Sequence, residues 1–237
     1  MSLISEKDQQ TLQKLFEGFE GDVTITNFIQ RESPLIIPGQ ECDYCKETRE
    51  LLEEVTALSD KLHLVTKDFV RDKQEADSMG VTRIPTFVLQ GSGQGKIRFF
   101  GIPAGYEFST LVEDLIDLSK GTTNLSEKTL TALKEVDQDL HIQVFVTPTC
   151  PYCPSAARLA HKLAMENEHI TADVIEISEF VDLAQRYRVQ GVPKTVINDR
   201  VEFAGALPEP RFVQQVLQAL EKDPLCQEAK AGKEEAR

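Results

Sequence analysis

TCPYCPSAA, residues 149–157, sets two cysteines three positions apart at the head of a run of small, helix-compatible residues. Ahead of it, Ile142–Thr147 alternates like a strand, and behind it SAARLAHKLAMEN reads as a helix. A Cys-x-x-Cys at a strand-to-helix turn places its first sulfur at the helix N-terminus, where unpaired amides and the macrodipole favour a thiolate. The second sulfur, one helical turn in, can attack a mixed disulfide and release the bound partner. That chemistry makes Cys150 a nucleophile and Cys153 a resolving thiol. Pro151 suits a first helical turn, where a missing N–H costs nothing.

The unit occurs twice. Cys42-Asp43-Tyr44-Cys45 precedes Cys150-Pro151-Tyr152-Cys153 by 108 residues, and at that offset Leu51 meets Leu159, Asp68 meets Glu176 and Val81 meets Val189. Each first cysteine is followed 43 residues later by a proline, Pro85 and Pro193. Past the prolines the offset falls to 104, because GSGQG at 91–95 stands against Asn198-Asp199-Arg200. Phe99 then meets Phe203, Gly101 meets Gly205 and Phe108 meets Phe212. Such self-similarity marks a duplicated domain. Cys42 and Cys45 take the same roles as their counterparts.

Each half reads strand, helix, strand, short helix, hairpin, helix: 23–29, 43–59, 62–68, 72–79, 86–100 and 107–119 in the first. The second has strands at Ala172–Ile177, Lys194–Ile197 and Val201–Ala204, with helices at Phe180–Tyr187 and from about Pro210 to Glu221. Leading helices are expected at 5–17 and 126–137, and the polar stretch Gly121–Asn124 as the boundary. The fold class is α/β, with two tandem domains, 1–121 and 122–225, each a mixed sheet flanked by helices, and a charged tail, 226–237.

The chain has 237 residues, 41% of them hydrophobic and 27% charged, enough for two cores. With 39 acids against 26 bases its net charge is −13, which repels nucleic acid and acidic membrane surfaces. No signal-peptide pattern opens it and no apolar run reaches membrane-span length, so the cytoplasm is the expected location. In that reducing compartment, two paired Cys-x-x-Cys motifs suit working dithiols better than a static framework. Zinc ribbons bring such pairs within about 15–20 residues, whereas 104 residues lie between Cys45 and Cys150.

Pro85 and Pro193 follow Ile84 and Val192 and precede strands. In the cis form each would aim a sharp loop at its dithiol, leaving the preceding backbone free to pair with an extended substrate. Substrate binding is therefore expected at Ile84, Pro85, Val192 and Pro193, with Tyr44 and Tyr152 covering the resolving cysteines.

This pattern resembles the thioredoxin superfamily, and Cys150-Pro151-Tyr152-Cys153 is the motif typical of glutaredoxins. Two such units in one chain look like the PDI-like protein disulfide oxidoreductases of thermophilic archaea and bacteria. The resemblance implies oxidation, reduction and isomerisation of protein disulfides, with protein dithiols and disulfides as substrates and a thioredoxin-reductase-like flavoprotein as electron source. It implies no bound cofactor and no metal. The alternative is a relay between a flavoprotein reductase and a peroxidase, with a peroxiredoxin as partner.

The chain departs from that family in two places. The stretch RESPLIIPGQE intervenes before Cys42, where the second half has only TPT. The buried acid that many relatives carry six residues before the first cysteine is replaced by Val144 and, counting straight back, by Ile36. Asp68 and Glu176 are expected to be solvated strand ends, and His63, His141, His161 and His169 to lie on surfaces. Cys226 is expected as an unpaired surface thiol. Because Asp43 follows one nucleophile and Pro151 the other, Cys150 is expected to be the better nucleophile and Cys42/Cys45 the more reducing couple.

Overall fold

The computed structural model describes residues 2–30 and 42–221. The insert before Cys42, Ile36 within it, and Cys226 with the tail lie outside the described residues. In chain order the first half holds α1 (Glu6–Phe16), β1 (Val23–Ile29), α2 (Cys45–Thr56), β2 (Leu62–Asp68), α3 (Lys73–Ser78), β3 (Thr86–Gln90), β4 (Lys96–Phe100) and α4 (Glu107–Lys120). The second repeats the order with α5 (Glu127–Leu133), β5 (Leu140–Val146), α6 (Cys153–Glu166), β6 (Ile170–Glu176), α7 (Val181–Arg186), β7 (Lys194–Ile197), β8 (Val201–Ala204) and α8 (Glu209–Glu221).

Local chemistry sets the ends. Ser5 and Ser126 accept the amides of Asp8 and Thr129, capping the two leading helices. α4 stops at Gly121, which takes the left-handed conformation (φ 66°). α5 is shorter than its 126–137 pattern, because Asn167 Nδ2 donates to the carbonyls of Leu133 and Val136 and closes the helix there.

The eight strands form one continuous sheet, ordered β2-β1-β3-β4-β6-β5-β7-β8. Each half is a four-stranded mixed unit, and the two join edge to edge through the parallel pair β4–β6, Lys96↔Thr171 to Phe100↔Ile175. At mid-seam Arg98 Nε and Nη2 donate to Asp173 Oδ1 and Oδ2 at 2.6 and 2.9 Å. Its Nη1 donates to the carbonyls of Met79 and Gly80. Gly80 has a φ of +69°, and a Cβ there would stand 2.0 Å from Nη1, so glycine is required. Sequence reading gave two sheets. The fusion comes from a long-range pairing between two edge strands, which period-two patterning cannot reveal.

One face carries the main core, where Leu12 of α1, Leu52 of α2, Leu111 and Leu115 of α4, Leu133 of α5, Leu163 of α6 and Phe212 of α8 pack together. The other face has two smaller clusters, around Ala76 of α3 and Leu183 of α7. Both helices that begin at a cysteine therefore lie on the same face. β1 and β5 run parallel through the chain of pairings between them, so both dithiols open at the same end of the sheet. Four strand steps separate them, about 19 Å.

Candidate active site

β1 and β5 deliver the two motifs to that end. Cys42 and Cys45 are joined in a disulfide, and Cys150 and Cys153 are thiols. Both helices start at the second cysteine, with Tyr44 and Tyr152 as their N-caps. The resolving sulfurs thus open the helices instead of lying one turn within. It is Pro154, not Pro151, that occupies the helix start; Pro151 belongs to the preceding turn. Cys45 is 4% exposed and Cys153 fully buried. The tyrosines do not enclose them, since Tyr44 is 45% and Tyr152 68% exposed: a cap residue projects outward from the helix end.

Ile84–Pro85 and Val192–Pro193 are both cis. The Cys150 Sγ lies 3.7 Å from the Val192 carbonyl oxygen, bringing the proline loop and the dithiol together in the second half. In the first, the Gln30 amide donates to Cys45 Sγ at 3.3 Å. The Pro85 and Pro193 carbonyls are tied to the amides of Gly101 and Gly205.

Burial pushes the Cys153 thiol well above its ordinary range, and the neighbouring Cys150 and Glu107 act in the same direction. Glu107, absent from the sequence reading, opens α4 of the first half, yet its charge acts on Cys153 of the second. It is fully buried; Oε2 accepts from the Thr110 hydroxyl at 2.9 Å, while Oε1 has no hydrogen-bond partner among the described residues. Burial raises its pKa to about 7, with the charge of Asp114 adding to the rise. It is delivered by the β4–α4 loop, where the Tyr106 amide donates to the Pro148 carbonyl at 2.9 Å. Gly105 (φ +59°) permits that approach, because a Cβ would stand 2.3 Å from the same oxygen.

A reciprocal contact reaches the first site. Glu179, in the β6–α7 turn, accepts from the Ile102 amide at 2.6 Å. Its pKa rises to about 7 through burial and the charges of Glu176 and Asp43, the latter adjoining Cys42.

Other expectations resolve differently. Asp68 accepts the amides of Val70 and Arg71, and Glu176 those of Ser178 and Glu179, so both are buried loop caps instead of solvated ends. His161 is buried, with Nδ1 2.6 Å from Asp114 Oδ2, in a seam between α4 and α6 where Arg158 also pairs with Asp114 and Asp117. Its surface assignment failed because α4 comes from the other half and covers it. The acid slot is also reassigned. Phe28 pairs with Thr86, next to Pro85, and Phe145 pairs with Lys194, next to Pro193. Asn27 is therefore the counterpart of Val144.

The thioredoxin domain model matches residues 35–113 and 140–218, one stretch in each half. The chain belongs to the thioredoxin-domain family. Among solved structures, this double thioredoxin unit superposes with a TM-score of 0.80 on a protein disulfide oxidoreductase from Aeropyrum pernix, at 30% identity, covering 90% of this chain and 91% of that one. The NTD_N/C domain of alkylhydroperoxide reductase AhpF from Enterococcus faecalis shares the fold, with a TM-score of 0.79 at 22% identity, covering 90% and 99%. A curated relative from Staphylococcus aureus, an alkyl hydroperoxide reductase component, is 25% identical over 80% of this chain. The chain spans about a third of that relative's length, 33%.

Proposed function

We propose that this protein is a protein disulfide oxidoreductase that exchanges thiols and disulfides with protein substrates at two dithiol sites. The observation that carries this reading is the pairing, at one end and on one face of one sheet, of two Cys-x-x-Cys turns, each followed by its cis-proline loop.

In the reductive direction the Cys150 thiolate attacks a substrate sulfur, forming a mixed disulfide as the substrate S–S bond breaks. The departing substrate thiolate takes a proton from solvent. Cys153, which holds its proton tightly, must lose it before attacking Cys150 Sγ. Glu107, whose pKa is raised to about 7 and whose charge acts on Cys153, is the base we assign to this step. The second substrate thiolate then leaves, two electrons have passed to the substrate, and Cys150–Cys153 is a disulfide. Cys42 and Cys45 perform the same exchange in the first half. Ile84 and Val192 offer backbone to an extended substrate beside the prolines, and Tyr44 and Tyr152 present exposed aromatic surface at the rim.

The electron source in this reading is a thioredoxin-reductase-like flavoprotein, and the location is the cytoplasm; no helix among the described residues is long and apolar enough to cross a membrane. We place the unit boundary after residue 121, with 122–225 as the second unit and 226–237 as a tail, supported by the Gly121 cap. The alternative, an electron relay to a peroxiredoxin, draws on the likeness to the alkyl hydroperoxide reductase sequences. Insulin reduction and reactivation of scrambled ribonuclease by Cys42→Ser and Cys150→Ser variants test the choice. A disulfide oxidoreductase keeps partial activity in each single variant, whereas a relay to one partner shows little in either assay while still reducing a peroxiredoxin.

A further inference from the structure

Each proline loop leans on the glycine that ends the hairpin behind it. The Pro85 carbonyl accepts the Gly101 amide at 2.9 Å, and the Pro193 carbonyl accepts the Gly205 amide at 2.8 Å. What lies beyond the two glycines differs. A Cβ on Gly101 would stand 2.7 Å from Glu179 Oε1 and 2.8 Å from Glu176 Cβ, both in the second unit. A Cβ on Gly205 would meet nothing within 4 Å. Sheet order is the reason. β4 is flanked by β6, so the first hairpin ends against the β6–α7 turn, while β8 is the outer strand of the sheet.

The approach to each proline repeats the contrast. Arg83, two residues before Pro85, places Nη2 2.7 Å from Oδ2 of Asp182, near the start of α7. At the 108-residue offset its counterpart is Gly191, and a Cβ there would again meet nothing within 4 Å. Glu179 Oε1 accepts the Ile102 amide at 2.6 Å, which fastens the β6–α7 turn to the first hairpin. The first proline loop is thus bounded by side chains of the second unit at Gly101 and at Arg83. The second loop has open space at both equivalent positions.

A substrate disulfide arrives at a dithiol together with the molecule that carries it. A chain that pairs with backbone at Ile84 has the second unit beside it, whereas one that pairs at Val192 has solvent there. Selectivity arises from obstructing one partner as well as from attracting another. We propose that Glu179 and the Arg83–Asp182 pair form a wall that restricts Cys42–Cys45 to slender disulfides, carried on small molecules or on extended chain. Disulfides in folded proteins are then left to Cys150–Cys153. The inference rests on the reading of both pairs as exchanging dithiols, and it assigns them different classes of substrate.

The experiment compares two full-length single-site proteins, one with Cys150→Ser and Cys153→Ser, the other with Cys42→Ser and Cys45→Ser. Each is reduced and mixed at pH 7 with an excess of hydroxyethyl disulfide, a small neutral probe, or of insulin, a folded protein. Alkylation of the remaining thiols at timed intervals gives a second-order rate constant for each mixture. Dividing the insulin constant by the hydroxyethyl disulfide constant cancels the intrinsic reactivity of each thiolate, and the ratio is expected to be about tenfold lower at the first site. Arg83→Gly combined with Asp182→Ala is expected to raise the first-site ratio about fivefold, with its hydroxyethyl disulfide constant and the second site unchanged. The ion pair is partly exposed and such pairs add little stability; if the double variant does not fold, Asp182→Ala alone decides on the same criterion. Equal ratios at the two sites overturn the proposal, and so does a low first-site ratio that the wall variants fail to raise. A first-site protein that neither disulfide oxidises is failure of the underlying reading of Cys42–Cys45, visible before any wall variant is made.

Discussion

The two dithiol sites are built on the same turn, helix start and proline loop, yet they are supplied with polar groups in opposite ways. The first unit has its own buried polar side chains, Asn27 on β1 and Thr48 on α2. Behind Cys153 the second unit is apolar and borrows Glu107 from the first. The difference teaches that a duplicated site need not duplicate its proton chemistry: once β4 and β6 fuse, a helix from one copy can serve the other.

The largest effect expected is on the sites themselves. Replacing both Cys42 and Cys150 by serine should reduce insulin reduction to background, about a thousandfold or more, because no thiolate remains to open a substrate disulfide. Equal residual activity in the two single variants would erase the functional side of the contrast.

The seam that makes the sites unequal is the next target. Arg98→Met removes the guanidinium that meets Asp173 and leaves that carboxylate, 3% exposed, with His141 as its remaining ionic partner among the described residues. A destabilisation of about 3–5 kcal/mol is expected, read from denaturant unfolding. A cost below about 1 kcal/mol would mean that the two halves hold together without the buried pair.

Glu107→Gln sharpens the comparison at the second site alone. Single-site measurements in the Cys42→Ser background should show Cys153 resolution falling by about tenfold to a hundredfold at pH 7. The first site, measured in the Cys150→Ser background, should be unchanged. The variant also makes a stability claim whose sign is fixed. The native pKa of Glu107 is raised to about 7, above the ordinary value near 4.3, so the folded state binds the extra proton and loses stability as pH rises between them. Glu107→Gln should therefore be more stable than the parent at pH 8, by about 3–4 kcal/mol, with the gain vanishing below about pH 4.5. Urea unfolding at several pH values checks it; a gain that grows on acidification contradicts the assignment.

The smallest effect concerns Asp43 and Pro151. The carboxylate beside Cys42 opposes a thiolate there, but it is exposed and well screened. Asp43→Pro should raise the potential of the first couple by about 30 mV or less, and Pro151→Asp should lower the second by a similar amount. Redox titration against glutathione measures both, and shifts of the opposite sign would assign the difference to local hydrogen bonding.

Much of this was legible because the repeat is written in residues whose roles are local. Cysteines at a helix start, a proline before a strand and alternation along Ile142–Thr147 each carry their own geometry, so the strands, the helices and both Cys-Pro pairs follow from spacing. What was not legible depends on contacts made across the chain. Glu107 aligns with Arg211 at the post-proline offset, so comparing the halves hides it; its influence on Cys153 depends on long-range packing of α4 against α6 across the seam. The stripe Glu107, Thr110, Asp114, Asp117 along one side of α4 was the available signal. Asn27 was concealed by the insert at 31–41, which spoils counting back from Cys42, and only the register of β1 against β3 restores it.

The β4–β6 seam also bears on how such a protein can be divided. Severed after residue 121, the first piece would present β4 as a raw edge, with Arg98 stripped of its carboxylate and the acidic side of α4 facing water. The second would lose both a neighbouring strand and the helix that roofs α6. Each fragment would be a template for sticking to copies of itself. A gene carrying this doubled fold is therefore not free to discard either copy, even if one dithiol fell idle: the silent half would persist as scaffolding, its cysteines free to drift while its sheet and helices stayed under selection.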